Sequence, residues 1–444
     1  MPADADSTPV VIPNVHFPDA SVHTVVVVLS GNNRSDCSPR HPVAAATLAA
    51  FDAADGRRLW QESTTGPARC TTAAPAAGGG FVYAPGFDGR IHKYAIATGV
   101  ETTTGGWPVS FTRLPAVEKA SSNLVISGQY LYVTTSGFIG DGGHYDGHVV
   151  TINLQTAQAN VFNSLCSNIH ALLTADSGSS AYCSSVRSGM FGRGQAAIDP
   201  VDASVYVATG NGPWNGKTNW GDSVLRLSAD GSRLLDAFTP ANQAYLDNSD
   251  LDLGSTGPAI LPAVVSGGKT YHLLIRGGKG PSGSSHGRAV LRLVNRNQMG
   301  SAPGPGHIGG SLQIINSPGG CGVFTSPTVW TDPKGRVLVL YADNCGMSAY
   351  VVRTSAGSRP SLAVLWRLHG SHYDTPVLAG KLLYVAQPSG VGVFNPETGH
   401  RMWTSQSLPK VQSIGYIHWE YPAVSGSMIF MTDENARLYA YARS

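Results

Sequence analysis

The chain has 444 residues, of which 42% are hydrophobic and 13% charged, and its formal net charge is +2. This balance, without a run of lysine and arginine, argues against a nucleic-acid-binding surface. No segment has the unbroken apolar length of a membrane span. The 53 glycines and 28 prolines indicate many short strands joined by tight turns rather than helices.

Eight stretches with alternating apolar residues follow one another along the chain and predict half-buried antiparallel strands. They cover residues 23–60, 81–99, 130–158, 204–232, 271–300, 337–357, 384–403 and 428–444. One unit per about 55 residues suits a four-stranded propeller blade. We therefore predict one all-β domain over residues 1–444, an eight-bladed β-propeller, with seven blades as the alternative. We expect the spare N-terminal strand at residues 8–14 to join the last blade and close the ring.

Six cysteines lack the close spacing of a zinc site and suggest three local disulfides. Of the fifteen possible connectivities, we favour Cys37–Cys70, Cys166–Cys183 and Cys321–Cys345. Disulfides persist in an oxidising compartment. The N-terminal sequence MPADADSTPV has neither the basic nor the apolar region of a signal peptide. We expect a mature secreted or periplasmic protein whose signal has been removed; a cytosolic protein with six buried thiols is the alternative.

Two segments share a short motif. AFDAADGRRLWQEST carries Asp52, Gly56 and Trp60 in an Asp-x-x-x-Gly-x-x-x-Trp pattern, and FNPETGHRMWTSQ repeats it with Trp403. The pattern resembles the tryptophan docking motif of quinoprotein propellers, which use pyrroloquinoline quinone (PQQ) and in which the indole of one blade packs on the next blade. The resemblance implies the fold more than the chemistry, because the superfamily includes dehydrogenases and non-enzymatic assembly proteins.

The middle of the chain resembles PQQ-dependent alcohol dehydrogenases. VYVATGNGPWNG is similar to the family's calcium-binding segment and places Asn211 at the calcium ion. SDLDLG resembles the catalytic segment, which implies that Asp250 is the base and Asp252 its companion. IRGGKG resembles a stretch near the quinone carbonyls and puts Lys279 there. An aspartate that takes the alcohol proton beside a cation is coherent chemistry.

The chain also departs from that family. Its calcium-binding glutamate should fall near GDGGHYDGHVV, where this chain has glycine, with Asp141 nearby. Phe191 stands in the place of the tryptophan below the quinone, and no vicinal cysteine pair exists. Ca²⁺ and PQQ are therefore candidate cofactors that the sequence does not favour. Alternatively, Asp250 and Asp252 cap turns and Asn211 occupies a left-handed turn.

Several blades begin their innermost strand after a short polar segment that ends in proline, which suits the first residue of a strand. Because innermost strands surround the channel of a propeller, we expect the residues before these prolines to share one funnel. They are His372, Tyr373, Asp374, His418, Trp419 and Glu420, with Arg193, Phe324, Asp252 and Lys279 from other blades.

Each funnel residue suggests a role. Asp374 and Glu420 are candidates for an acid/base pair of the kind that cleaves glycosides. Trp419 and Tyr373 are suitable platforms for sugar rings. The histidines His372 and His418 are candidate general bases or metal ligands. Polar side chains that merely line a wet channel are the alternative.

A Gly-rich loop carries a further candidate metal site. His144, Asp146 and His148 stand two residues apart in GHYDGH. Histidines at this spacing on a loop can bind a metal ion, although such triplets are often purely structural.

Three functions from different classes follow. The preferred one is a secreted propeller that binds a neutral, carbohydrate-like ligand, with hydrolase or lyase chemistry at Asp374 and Glu420. The second is a PQQ-dependent alcohol or sugar dehydrogenase that uses Asp250, Asn211 and Lys279. The third is a scaffold without chemistry. We expect a small-molecule or glycan ligand, a monomer, no nucleic acid and no membrane span.

Overall fold

A computed structural model describes residues 1, 3–31, 37, 43–138, 142–194, 196–280, 289–370, 372–387, 390–408, 414–418 and 420–442. The chain forms two compact units, which we describe separately. The first unit comprises Met1–Asn163, Ile169–Ser184 and Gln412–Ser444, and the second comprises Ser164–Asn168 and Ser185–Val411. The single domain expected over the whole chain stays a prediction.

The fold class is an all-β, eight-bladed β-propeller, as the sequence predicts. Within the described residues, the strands form eight antiparallel blade sheets and one additional hairpin. In most of these sheets, strands that follow one another in the chain are hydrogen-bonded neighbours. Helix is confined to α1 (Gln243–Asn248) and two 3₁₀ turns, Leu253–Ser255 and Ser405–Ser407, in the part of the chain that the structure describes.

The first three sheets belong to the first unit. Their strands are β1 (Val10–His16), β2 (Val22–Ser30), β3 (Ala46–Asp52) and β4 (Arg58–Thr64); β5 (Ala76–Gly78), β6 (Phe81–Pro85), β7 (Arg90–Ala95) and β8 (Val109–Ser110); β9 (Glu118–Ala120), β10 (Val125–Ser127), β11 (Tyr130–Gly137), β12 (His148–Asn153) and β13 (Ala159–Asn163).

The next four sheets belong to the second unit. Their strands are β14 (Ala197–Ile198), β15 (Val205–Ala208), β16 (Val224–Leu227) and β17 (Leu234–Phe238); β18 (Ala259–Ile260), β19 (Val264–Ser266), β20 (Lys269–Tyr271), β21 (Leu273–Arg276), β22 (Val290–Asn295) and β23 (Ser311–Asn316); β24 (Thr328–Thr331), β25 (Val337–Asp343), β26 (Gly346–Arg353) and β27 (Ser361–His369); β28 (Val377–Ala379), β29 (Leu382–Gln387), β30 (Gly390–Phe394) and β31 (Arg401–Thr404). β19 and β20 are the additional hairpin.

The last sheet returns to the first unit, with strands β32 (Ala423–Ser425), β33 (Met428–Asp433) and β34 (Arg437–Ala442). The predicted addition of the N-terminal strand to this sheet is not confirmed. β1 instead pairs with β2, with Val10 opposite Val27. The residues before β1 do reach the last sheet: the Met1 ammonium donates to the carbonyl of Ala436 at 2.8 Å, and the Thr432 hydroxyl donates to the carbonyl of Ser7 at 2.6 Å.

The inner strands are buried on both faces because apolar side chains fill the space between successive sheets. In β2, residues 25–29 are all at most 2% exposed. Val27 of the first sheet and Val82 of the second share one apolar cluster. Leu131 of the third sheet joins Ile91 of the second in another. This stacking buries both faces of β2, whereas the sequence analysis predicted half-buried strands.

Tryptophan docking occurs in both units. Trp60 Nε1 donates to the carbonyl of Ile96 at 2.7 Å, and its ring covers Gly99, where an added Cβ would lie 2.9 Å from the indole. In the second unit, Trp366 Nε1 donates to the carbonyl of Pro396 at 2.9 Å. The role predicted for Trp60 is confirmed, whereas Trp366 lies outside the motif.

The predicted disulfides form. Cys37–Cys70 and Cys321–Cys345 have Cα–Cα distances of 5.4 and 5.6 Å. Cys166 and Cys183 are also disulfide-bonded, so none of the six cysteines is free. In the described part of the chain, no helix is long and apolar enough to cross a bilayer.

Candidate functional site

In the second unit, four residues from three separate segments meet in one cluster. Asn211 Nδ2 donates to Oδ1 of Asp250 at 2.9 Å, and its backbone N–H donates to Oδ1 of Asp252 at 2.9 Å. The Lys279 ammonium lies 2.7 Å from Oδ2 of Asp250 and 3.5 Å from Oδ2 of Asp252. We call Asn211, Asp250, Asp252 and Lys279 the aspartate–lysine cluster.

The backbone after α1 presents the two aspartates differently. Asp250 takes a left-handed conformation with φ of 53°, which aspartate tolerates better than most residues. Its side chain is 67% exposed, whereas that of Asp252 is 10% exposed. Asp252 packs so tightly against Gly210 that a Cβ there would collide with the carboxylate. Asp250 can therefore contact a ligand from solvent, while the buried Asp252 supports the cluster through its hydrogen bond with the Asn211 backbone.

The two aspartates stabilise the protonated form of Lys279. Burial lowers the pKa of its ammonium, but the hydrogen bond to Asp250 and the charges of both aspartates outweigh burial and raise the pKa above its ordinary value. The lysine is therefore protonated at neutral pH. It offers a fixed positive charge beside the exposed carboxylate of Asp250.

Two buried residues that the sequence analysis missed hold the segment carrying the aspartates. Asp222 Oδ1 accepts from the N–H of Leu253 at 2.9 Å, and an Arg276 Nη atom donates to the carbonyl of Leu253. Burial raises the pKa of Asp222 to about 8 and lowers that of Arg276 to about 9. Arg276 ends the apolar strand β21, and nothing in its neighbours shows that its side chain turns inward.

Three further predicted residues lie beside the same segment. The loop of Phe191 and Arg193 packs on the 3₁₀ turn, where the Phe191 N–H donates to the carbonyl of Gly254 at 3.0 Å. Phe191 is half-buried and Arg193 is buried. Phe324 lies near the backbone of Lys279. Gly322 packs against the carbonyl oxygen of Lys279, and a Cβ added to Gly322 would lie 3.1 Å from the ring of Phe324.

A cleft of about 620 Å³ is lined by chain neighbours of the cluster residues, although by none of the four cluster residues themselves. Leu251 and Leu253 line it from the aspartate segment and Gly278 from the lysine segment. Leu246 of α1 and Ile314 of β23 line it elsewhere. An apolar cleft with polar groups at one border is the usual form of a small-molecule site.

The predicted funnel residues of the second unit have structural partners. Asp374 is 2% exposed, and its Oδ1 accepts from the N–H of Thr375 at 2.6 Å. His372 is exposed, and its N–H donates to the carbonyl of Asn344. Tyr373 is 9% exposed and lies in an apolar core cluster. The ring of Tyr373 is therefore not displayed as a platform for a sugar.

The other funnel residues belong to the first unit. His418 Nδ1 lies 2.9 Å from Oδ2 of Asp6, and Glu420 Oε2 accepts from the N–H of His418 at 2.6 Å. Trp419 lies outside the described residues, as does Asp141. The acid/base pair of Asp374 and Glu420 spans the two units and stays a prediction.

The structure does not bring His144, Asp146 and His148 together as metal ligands. His144 Nε2 lies 2.8 Å from the carbonyl of Cys183, and His148 Nε2 lies 2.8 Å from the carbonyl of Phe111. Burial and the charge of Glu118 raise the pKa of Asp146 to about 9, so that it is protonated at neutral pH. These contacts give the two histidines structural partners, and the metal site of this loop stays a prediction.

Comparison with known proteins confirms the predicted resemblance for the fold. Residues 12–190 match the family model of the outer membrane protein assembly factor BamB. No protein of curated function matches the sequence.

Among solved structures, the quinohemoprotein alcohol dehydrogenase of Pseudomonas putida HK5 is similar, with a TM-score of 0.60 and 13% identity over 97% of this chain and 70% of that one. A europium-containing methanol dehydrogenase has a TM-score of 0.55 and 15% identity over 94% of this chain and 80% of its own. BamB from Moraxella catarrhalis has a TM-score of 0.50 and 11% identity over 98% of this chain and 96% of its own. At such identities the similarity concerns the fold.

Proposed function

We propose that the protein is a quinone-dependent dehydrogenase that oxidises a hydroxyl group at the aspartate–lysine cluster. The observation that carries the proposal is the meeting of Asn211 and Lys279 on the exposed carboxylate of Asp250, at 2.9 and 2.7 Å. Dehydrogenases among the similar folds support it. Carbohydrate cleavage, which the sequence analysis preferred, finds no support. The three disulfides support a secreted or periplasmic location.

The donor set fits Ca²⁺ and PQQ, the groups that the fold family implies. Asn211 Oδ1 is buried without a hydrogen-bond partner, and such an oxygen costs free energy unless a ligand satisfies it. Together with the carboxylate of Asp252, it offers hard oxygen ligands of the kind that Ca²⁺ prefers. Lys279 is suited to the carbonyl oxygens of a quinone, and Phe191 offers an aromatic ring nearby.

If bound, the quinone would supply a two-electron acceptor and the cation would increase its electrophilicity. The residues of the chain perform the proton chemistry. Asp250 is exposed, accepts hydrogen bonds from Asn211 and Lys279, and is placed to accept the proton of a substrate hydroxyl group. Asp222 and Arg276 fix the backbone of the aspartate segment through Leu253. The cleft lined by Leu251 and Leu253 offers room for the apolar part of the substrate.

Reconstitution tests the proposal. Purified protein is loaded with PQQ and Ca²⁺, and oxidation of primary alcohols and sugars is followed with an artificial electron acceptor. We expect turnover in the wild type, a loss of at least about 100-fold in Asp250→Asn, and no change in Asp176→Asn, which alters an exposed carboxylate elsewhere. No turnover of any substrate by the loaded protein, or equal turnover in Asp250→Asn, contradicts the proposal.

A non-enzymatic scaffold is the second candidate. The match of residues 12–190 to an assembly factor favours it. It predicts no turnover under any condition and no effect of Asp250→Asn on partner binding, so the same reconstitution separates the two functions.

A further inference from the structure

In the first unit, three side chains of ligand type meet from three distant segments. Asp6 precedes β1, His418 lies on the loop before β32, and Glu434 lies in the turn between β33 and β34. One donor atom from each lies within 4.8 Å of the other two, and they are the one such group among the described residues. Asp6 and Glu434 are 1% and 0% exposed.

The distances suit a metal ion. Zinc bonds to imidazole nitrogen and carboxylate oxygen measure about 2.0–2.2 Å, so that two ligand atoms of a tetrahedral site lie roughly 3.3–3.6 Å apart. His418 Nδ1 and Asp6 Oδ2 lie at hydrogen-bonding distance, 2.9 Å, and need to separate only slightly to admit the ion. Glu434 is close enough to complete the set by a change of its side-chain torsions.

Charge also points to a cation. Asp6 and Glu434 bring two carboxylates out of water at the same place, and buried charges in proteins are either paired or coordinate metals. A divalent cation offsets both and leaves the imidazole neutral, which is the form that binds metal.

The backbone around the three ligands is held in place. Glu420 Oε2 accepts from the N–H of His418 at 2.6 Å and fixes its loop. Asp433 fixes the turn of Glu434 by accepting from the N–H groups of Asn435 and Arg437 at 3.0 and 3.1 Å. Ligands on a fixed backbone bind with less loss of conformational freedom.

We propose that Asp6, His418 and Glu434 bind a divalent transition-metal ion of the Zn²⁺ class. One imidazole nitrogen and two carboxylate oxygens form a mixed set that suits zinc better than calcium. Three protein ligands leave a position for water. The ion fastens the residues before β1 to the last sheet, where Met1 and Ser7 also make hydrogen bonds. The site shares no residue with the aspartate–lysine cluster and does not depend on the proposed function.

Zinc titration of the metal-stripped full chain tests the proposal, with Ca²⁺ and PQQ absent. Equilibrium dialysis should give one tight equivalent of Zn²⁺, and Co²⁺ should give a visible absorption band. His418→Ala and Glu434→Gln should each weaken binding by about 100-fold or more. His16→Ala, which removes an exposed histidine of the same unit, should bind as the wild type does.

Two further results keep the test decisive. Asp250→Asn should keep its zinc equivalent, because that residue belongs to the other cluster. If His418→Ala does not fold, the Co²⁺ band of Glu434→Gln decides, since glutamine keeps the size of the side chain. Failure of the wild type to bind zinc, or unchanged binding in folded His418→Ala or Glu434→Gln, overturns the proposal.

Discussion

The ammonium of Lys279 lies 2.7 Å from Oδ2 of Asp250, the most exposed carboxylate of the aspartate–lysine cluster. The proposed base therefore works beside a fixed positive charge. A positive charge at this point attracts the electron-rich oxygens of a quinone. The first prediction follows from this ion pair.

Lys279→Gln should lower kcat/KM for alcohol oxidation by about 10–1000-fold and weaken quinone binding, because it removes the charge but keeps most of the side-chain length. Lys279→Arg should restore part of both. Dye-linked kinetics and quinone fluorescence titration measure the two effects. Lys334→Gln is the control, since Lys334 is 67% exposed and pairs with Glu397. Equal loss in both variants would remove the special role of Lys279.

Asn211 should determine the calcium requirement. Its Oδ1 is buried and has no hydrogen-bond partner among the described residues, so a cation that binds there gains a ligand without breaking a bond within them. Asn211→Ala should raise the Ca²⁺ concentration for half-maximal reconstitution at least about 10-fold. The turnover at saturating Ca²⁺ should fall less. An unchanged Ca²⁺ dependence would place the cation elsewhere.

The buried carboxyl of Asp146 predicts a pH dependence of stability. Burial and the charge of Glu118 raise its pKa from 3.8 to about 9. Above pH 4 the unfolded chain releases a proton that the folded chain retains, so this group makes the free energy of unfolding fall by up to about 1.4 kcal/mol per pH unit. Its contribution is complete below pH 4 and is lost as the pH rises towards 9.

Asp146→Asn removes this proton and should therefore gain stability relative to the wild type as the pH rises. Thermal unfolding is measured for both proteins at pH 5 and pH 8. The Tm of the variant minus the Tm of the wild type should be more positive at pH 8 than at pH 5. The exposed Asp55→Asn should show no such difference, because its side chain is 59% exposed. A variant that loses equal stability at both values would show that Asp146 is ionised in the folded protein.

The docking of Trp60 on Gly99 predicts a sharp stability loss. Both Gly99 and Gly56 have a left-handed backbone, with φ of 73° and 75°. An added Cβ at Gly99 would lie 2.9 Å from the indole of Trp60, whereas none of the described atoms lies within 4 Å at Gly56. Gly99→Ala should therefore cost about 1–3 kcal/mol more than Gly56→Ala in urea unfolding. An equal loss of unfolding free energy in the two variants would mean that the ring of Trp60 moves aside without a loss of stability.

The sequence predicted the architecture because period-two patterns and turn residues are local. It also predicted the aspartate–lysine cluster through a family resemblance. It did not identify Asp222 and Arg276, because burial of a charged side chain depends on which strands come to lie around it. The pairing of β1 was missed for a similar reason. Both the first and the last sheet offer an edge to a short apolar strand, and contacts formed only in the folded chain determine which sheet it joins.

The funnel hypothesis shows a second limit. Residues before a proline were expected to face a common opening, but Tyr373 packs in the core and His418 contacts Asp6. Sequence position fixes where a loop begins, whereas the torsions within the loop decide which way each side chain points.

One measurement tests the central claim most directly: single-turnover mixing of alcohol with PQQ-loaded, Ca²⁺-saturated protein in the absence of an electron acceptor. The account predicts that the absorbance of oxidised quinone disappears in the wild type in proportion to the sites loaded. Asp250→Asn should bind the quinone with similar affinity and leave it oxidised. Quinone that is never reduced by any alcohol in the wild type, or is reduced as fast in Asp250→Asn, would contradict the account.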